Sequence, residues 1–241
     1  MPDPIFEHAR LVEIYDAFDG PRHDLEHYLA IVKELKARSI LDIGCGTGCF
    51  SCLLSQHGFD VVGVDPAQSS LAIARKKPHA EQVRWIVGDA TSLSSLHADL
   101  AVMTGNVAQV FLTDEAWENS LIAIHQALRS GGHLVFEVRD PAQKAWLKWT
   151  REHTYQRIHI PTIGFVEGWC DVTNLSEKFV SFRWTYVFES DGEILFSDST
   201  LRFRDREEIT NSLERLGYTV KEVRDAPDRP QQEFVFIAAT A

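Results

Sequence analysis

The feature that most restricts this chain is the stretch ILDIGCGTG at positions 40–48, where an apolar run gives way to glycines at 44, 46 and 48. An apolar run of that length reads as a buried strand. Glycines at alternate positions let the backbone turn sharply and approach a ligand without a side chain between. The helical pattern that follows, CFSCLLSQHG, ends at Gly58 and offers N–H groups to an anion at its start. Strand, glycine turn and helix in that order form the first crossover of an open α/β sheet.

The pattern then repeats. Short apolar runs at Ile40–Ile43, Val61–Val64, Val83–Val87, Leu100–Thr104 and Leu134–Val138 alternate with helical patterns, as parallel βαβ units require. The segment DEAWENSLIAIHQALRSGG predicts a helix capped by Asp114 and stopped by Gly131 and Gly132. Trp117, Leu121, Ile124 and Leu128 form its core stripe, and His125 beside them reads as structural. After Pro141 a short helix, AQKAWLKWTRE, leads into a region from Tyr155 to Arg204 rich in Phe, Val, Thr, Trp and Tyr. Alternation there puts Val180, Phe182, Trp184, Tyr186 and Phe188 on one strand face, with Ser181, Arg183 and Thr185 on the other. Asp191-Gly192 supplies a hairpin turn. A helix over Arg206–Leu216 and strands at Tyr218–Val223 and Phe234–Ala239 complete the chain, and DGPRHD breaks one or two helices before the first strand.

Three ligand readings compete for the glycine loop. A phosphate-cradling P-loop needs Gly-Lys followed by Ser or Thr, and no lysine lies near. A dinucleotide fingerprint needs a small third residue where Cys49 stands, so a nicotinamide-dependent dehydrogenase is a weaker alternative. The third reading rests on the acids that follow. Asp65 ends the strand DVVGVD, placed to accept hydrogen bonds from two ribose hydroxyls. Asp89 ends the third strand in VGDA, and AVMTGN ends the fourth. All lie at the carboxyl edge, where open α/β sheets bind ligands.

Through LDIGCGTG, GVD, GDA and SGGHLVFEV, in that order, the chain resembles the class I S-adenosylmethionine-dependent methyltransferases. The resemblance is good over about residues 36–140 and follows the remainder in outline. It implies a Rossmann-like, seven-stranded, mostly parallel sheet with the last strand antiparallel, plus an antiparallel insertion after the fifth strand. It also implies that Gly44, Cys45, Gly46 and Gly48 border the methionine moiety, Asp65 and Pro66 the ribose, and Asp89 with Ala90 the adenine. Asp42 supports the cofactor's amino group, Thr104, Gly105 and Asn106 line the sulfonium side, and Tyr15 belongs to an amino-terminal lid. The expected divisions are a helical lid at 1–38, the core at 39–154 and 205–241, and the insertion at 155–204. Order along the chain is closest to small-molecule N-methyltransferases acting on amino sugars, in which such insertions shape the acceptor pocket and a homodimer contact.

Cys45, Cys49 and Cys52 carry the C-x3-C-x2-C spacing of an iron-sulfur ligand set, hence the alternative of a radical S-adenosylmethionine enzyme. Context weighs against it: Cys49 and Cys52 lie in the helix after the loop, and the antiparallel region leaves too few β/α units. No metal is expected. Methyl transfer is an in-line displacement from an already activated sulfonium, accelerated by alignment and exclusion of water. Catalytic residues are therefore few. Candidates for deprotonating an N or O acceptor are His23, next to Asp24 in the DGPRHD break, and Glu137. Arg139 and Trp169 are candidate substrate contacts, with Glu137 and Arg139 assigned to alternate faces of the fifth strand.

Charge and hydropathy bound the partners. Lys plus Arg number 24 against 35 Asp plus Glu, and a net charge of −11 gives no general attraction for nucleic acid or anionic lipid. No segment approaches the length of an apolar membrane span, and the crowded cysteines are unlike a secreted disulfide framework, so a cytoplasmic protein is expected. A non-catalytic S-adenosylmethionine-binding protein remains an alternative, since these signals report binding and not transfer.

Overall fold

A computed structural model describes residues 2–93 and 96–241. Met1, the first residue of the expected lid, lies outside them. Three helices precede the sheet: α1 (Pro4–Glu7), α2 (Ala9–Asp19) and α3 (Asp24–Glu34), with Gly20 at φ +75° ending α2. The parallel units follow as β1 (Ser39–Ile43), α4 (Cys49–Gln56), β2 (Asp60–Asp65), α5 (Gln68–Ala74), β3 (Val83–Val87), β4 (Ala98–Met103), α6 (Asp114–Ala127) and β5 (Leu128–Arg139). The expected helix after Pro141 is two 3-10 turns and the single-turn α7 (Arg151–Thr154). Then come β6 (Gln156–Ile160), β7 (Gly164–Leu175), β8 (Phe179–Phe188), β9 (Ile194–Arg202), α8 (Arg206–Arg215), β10 (Tyr218–Asp225) and β11 (Glu233–Thr240).

The main sheet has the order β10-β11-β5-β4-β1-β2-β3. Only β11 runs against its neighbours, pairing antiparallel with both β5 and β10. The central strands are buried on both faces, which is why they read as nearly unbroken apolar runs. Leu41, Ile43, Val64, Met103 and Phe136 meet Trp117, Leu121 and Ile124 of α6 on one face. Ile40, Val61, Leu100, Val102 and Val135 meet Leu29, Ile31 and Val32 of α3 and Leu54 of α4 on the other.

Two local expectations at α6 are corrected. Its cap is Thr113, whose hydroxyl accepts from the Ala116 N–H at 3.1 Å, and not Asp114. The helix ends at Ala127, and residues 128–132 already belong to β5, because the register with β4 slips between Ala98 and Leu100. Gly131 and Gly132 thus shape an irregular strand start, not a helix stop.

The second sheet, β6-β7-β8-β9, is wholly antiparallel. Its aromatic face packs on the amino-terminal helices: Val166, Tyr186 and Phe188 meet Ile5, Leu11, Ile14 and Phe18. Phe18 and Tyr186 stand edge to face with centroids 5.1 Å apart. Two arginines tie the end of this sheet to the core, Arg202 Nη1 donating to the Leu112 carbonyl and Arg204 Nη2 to the Thr113 carbonyl. Among the described residues no helix is long and apolar enough to cross a membrane. Thr113→Ala removes the one side-chain cap of α6 and should lower stability by about 1 kcal/mol, read from urea unfolding midpoints.

Candidate active site

A cavity of about 840 Å³ opens at the carboxyl ends of β1 to β4, within the size range of small-molecule sites. Its floor is the strand ends and the glycine loop. Pro2, Asp3, Phe6, Tyr15 and Arg22 border it from the amino-terminal segment. Thr173, Ser181, Arg183, Asp198, Ser199 and Thr200 border it from the antiparallel sheet.

The three loop glycines are required for different reasons. A Cβ at Gly44 would stand 2.6 Å from Val107, and one at Gly48 would stand 2.6 Å from Trp85, so protein packing excludes side chains there. A Cβ at Gly46 would meet nothing within 4 Å; it would project into open space that a ligand can fill. The amides of Gly44 and Cys45 donate to the Val64 carbonyl, that of Gly48 to the Cys45 carbonyl, and that of Gly46 to Asp65. These four N–H groups are already engaged, so the loop offers a ligand space and shape more than donors.

Asp65 holds this arrangement from the end of β2. Its Oδ2 accepts from Gly46 N and its Oδ1 from Ala67 N, both at 2.8 Å. Burial lifts its pKa above the ordinary carboxylate value while the two backbone donors pull it down. An ionised carboxylate has about four lone-pair sites, so acceptor capacity remains for a pair of ligand hydroxyls. Asp89 is more exposed and accepts from the backbone and hydroxyl of Thr91 through Oδ1. Pro66, Gly88 and Ala90 complete this part of the wall.

Beneath the loop, Asp42 is 1% exposed and accepts from Ser51 Oγ at 2.6 Å through Oδ2, leaving Oδ1 unpartnered. Burial, reinforced by the charge of Asp65, pushes its pKa up to about 6. A lone carboxylate oxygen at that depth suits a cationic group above it. The empty space over Gly46 and the acceptor at Asp65 fit an adenosyl amino acid such as S-adenosylmethionine, with the unpartnered Asp42 oxygen just behind the wall they form.

The expected residues separate into three groups. Tyr15, Gly44, Cys45, Gly46, Asp65, Pro66, Asp89, Ala90, Thr104 and Gly105 all border the cavity. Asp42, Gly48 and Asn106 lie just behind its wall. His23, Glu137, Arg139 and Trp169 do not reach it. His23 is exposed at the start of α3, and its neighbour Arg22 turns inward instead, paired with Asp24 and Asp19. Glu137 is 3% exposed and accepts from the Asn106 N–H at 2.7 Å. Arg139 bonds Gln109 at 3.1 Å and lies over Trp149, while Trp169 lies under Arg151. Nor do Glu137 and Arg139 take alternate faces: two apart in a strand, they share one, and Arg139 and Asn106 both approach Glu233.

The sequence reading missed Asp3, Phe6, Arg22, Thr47 and the polar residues of β8 and β9. The signal for Ser181 and Arg183 is the polar second face of β8, opposite the aromatic face that packs into the core. Among the described residues no three His, Cys, Asp or Glu side chains gather as a metal-ligand set. Cys45 borders the cavity, while Cys52 is buried in α4.

Glu137 has a measurable consequence. Burial pushes its pKa from 4.5 up to about 7, against the Asn106 donor and with Glu233 adding to the rise. The folded state therefore holds a proton there that the unfolded chain releases near pH 4.5, so this group's contribution to stability falls as pH rises through that window. Glu137→Gln should gain stability relative to the parent as pH rises from about 4.5 to 7, by an amount on the order of 3 kcal/mol, checked by denaturant unfolding across pH. A pH-independent difference between the two proteins would remove the assignment.

Residues 40–132 match the family model described as a methyltransferase domain. The cypemycin N-terminal methyltransferase of Streptomyces sp is 30% identical over 148 residues, covering 59% of this chain and 60% of that protein. The chain thus spans about three fifths of the length of that curated relative. Among solved structures, Streptomyces venezuelae DesVI aligns with a TM-score of 0.78 at 16% identity, covering 98% of this chain and 99% of that one. CalS10 from Micromonospora echinaspora, an amino pentose methyltransferase solved with S-adenosylmethionine, aligns with a TM-score of 0.72 at 18% identity, covering 95% and 96%. Residues 40–132 are thus similar to a methyltransferase domain, and the chain as a whole shares the fold of these solved methyltransferases.

Proposed function

We propose that this chain transfers the methyl group of S-adenosylmethionine to a nitrogen or oxygen of a small polar acceptor. The observation that carries the reading is that one cavity joins the glycine loop and Asp65 to a second wall of polar side chains from β7, β8 and β9. When bound, the donor supplies a methyl group on a cationic sulfur. Asp65 and Pro66 then hold its ribose, Asp89 and Ala90 its base, Asp42 lies below its amino group, and Gly44 to Gly48 with Thr104 to Asn106 surround its methionine portion. Tyr15 and Phe6, with ring centroids 5.5 Å apart, cover the cleft and keep water out.

The acceptor lies against Asp3, Ser181, Arg183, Asp198 and Thr200. Their hydroxyls and charges of both signs suit a hydroxyl- or amine-bearing metabolite better than an apolar one. CalS10 is described as an amino pentose methyltransferase, which supports an amino sugar as one such acceptor. Asp3 borders the cavity, as His23 and Glu137 do not, and accepts from Ser199 Oγ, so it is the better placed to take a proton from an acceptor; burial raises its pKa. Glu137 serves instead to hold the Asn106 turn. Alignment in a closed cleft supplies the remaining acceleration.

The reading extends to the whole chain: residues 1–38 as a lid, 155–204 as the acceptor element, and two copies pairing through the outer face of the antiparallel sheet, where Phe165, Ile194 and Phe196 are exposed. Four free thiols support a reducing, cytoplasmic setting. Incubation with methyl-labelled S-adenosylmethionine and a metabolite extract should label a small molecule. Asp65→Asn should weaken S-adenosylhomocysteine binding roughly 10- to 100-fold, measured by calorimetry on folded protein. Unchanged affinity would displace Asp65 from its role.

A further inference from the structure

We propose that Cys49 and Cys52 form a peroxide-responsive dithiol pair whose oxidation to a disulfide releases helix α2 from the glycine loop. The sequence CFSC places the two cysteines three apart at the start of α4, with Cys49 its first residue. In a helix, residues three apart have Cα atoms about 5 Å from each other, inside the range a disulfide spans. Both thiols are free, and both border one small surface pocket together with Gln56, Lys77 and Pro78. That pocket gives a small oxidant access without passage through the larger cavity.

The surroundings distinguish the two sulfurs. Lys77 Nζ donates to Cys49 Sγ at 2.9 Å and pairs with Asp16 at 2.6 Å. Burial acts against the Lys77 charge, yet the bonds to Asp16 and Cys49 prevail and raise its pKa. Thiols at helix N-termini beside an ammonium group are the nucleophilic ones. Cys52 is buried deeper, and desolvation pushes its pKa up to about 11, which suits the partner that reacts second. Cys45 sits in the loop on the cavity side and Cys170 in β7, so neither shares this pocket.

The chemistry balances with one equivalent of hydrogen peroxide. Cys49 sulfur attacks one peroxide oxygen; the S–O bond forms as the O–O bond breaks, and the other oxygen leaves as water with the thiol proton. Cys52 sulfur then attacks the sulfenic sulfur, forming the S–S bond and expelling the hydroxyl, which takes the Cys52 proton as a second water. Two thiols lose two electrons in all, and peroxide gains them.

The structural consequence follows from what Cys49 touches. Asp16 of α2 accepts from Thr47 Oγ1 at 2.6 Å and from Lys77, and Cys49 Sγ lies 3.7 Å from it. These contacts fasten α2, which carries Tyr15, to the loop. Drawing the Cys49 sulfur to within about 2 Å of Cys52 removes it from Lys77 and Asp16. The clamp then loses one of its members, and α2 opens more readily.

The test is made on the full chain and needs no methyl donor, so its failure is separable from failure of the proposed function. Residues 39–75 form a single tryptic peptide holding Cys45, Cys49 and Cys52. After one equivalent of hydrogen peroxide and alkylation, tandem mass spectrometry should find Cys49 joined to Cys52 and Cys45 alkylated, with reversal by dithiothreitol. Amide exchange over residues 9–19 should become several-fold faster in the oxidised protein. Cys52→Ala should stop at a dimedone-reactive sulfenic acid on Cys49, and Lys77→Met should slow peroxide consumption. A bond that includes Cys45, three unmodified thiols, or unchanged exchange in α2 after disulfide formation would each overturn the proposal.

Discussion

The structure depends on a carboxylate that joins two crossovers. Asp65 ends β2 and accepts one backbone N–H from the loop after β1 and another from the turn after its own strand. Without it, the half-buried Gly46 N–H would lose a hydrogen bond to a charged acceptor, a loss on the order of 1–3 kcal/mol, and the loop would lose the shape that keeps its central glycine facing open space. The same group therefore maintains the fold and presents acceptors to the cleft. That dual use explains why an acid is needed there even before a ligand is considered.

A second dependence runs between the sheets. Arg202 and Arg204 reach from the end of β9 to the backbone before α6 and pair with Asp114 and Glu208. Burial, with the neighbouring Arg202, pulls the pKa of Arg204 down to about 10, so the guanidinium stays charged at neutral pH. Breaking such a pair would leave an uncompensated charge inside the protein, a cost larger than the pair's own net contribution. The antiparallel sheet is consequently held to the core by polar anchors at one end and by the apolar contacts of Phe18, Tyr186 and Phe188 with the amino-terminal helices at another.

The part of the site that sequence makes legible is the part built from local segments. Asp65, Asp89 and the glycines are each set by a strand end and the turn after it, so their placement follows from spacing alone. Asp3, Arg22, Ser181 and Arg183 reach the same cavity only because an apolar cluster brings residues 5–18 onto residues 166–188, a contact that no local pattern encodes. His23 illustrates the limit: one position along the same turn decides between a side chain in solvent and Arg22 in the wall. Glu137 illustrates another. An acid at a strand end reads as functional, but Asn106 and Glu233 lie over it, and β11, which supplies Glu233, arrives almost 100 residues later.

The cavity's two walls come from segments with separate supports, the strand-end loops on one side and β7 to β9 on the other. A substitution at Ser181 or Thr200 changes one wall while leaving the hydrogen bonds of Asp65 intact. Under the proposed function, lineages that inherit this architecture can exchange one acceptor for another by drift in a few cavity-facing strand positions, without re-evolving the half that receives the donor.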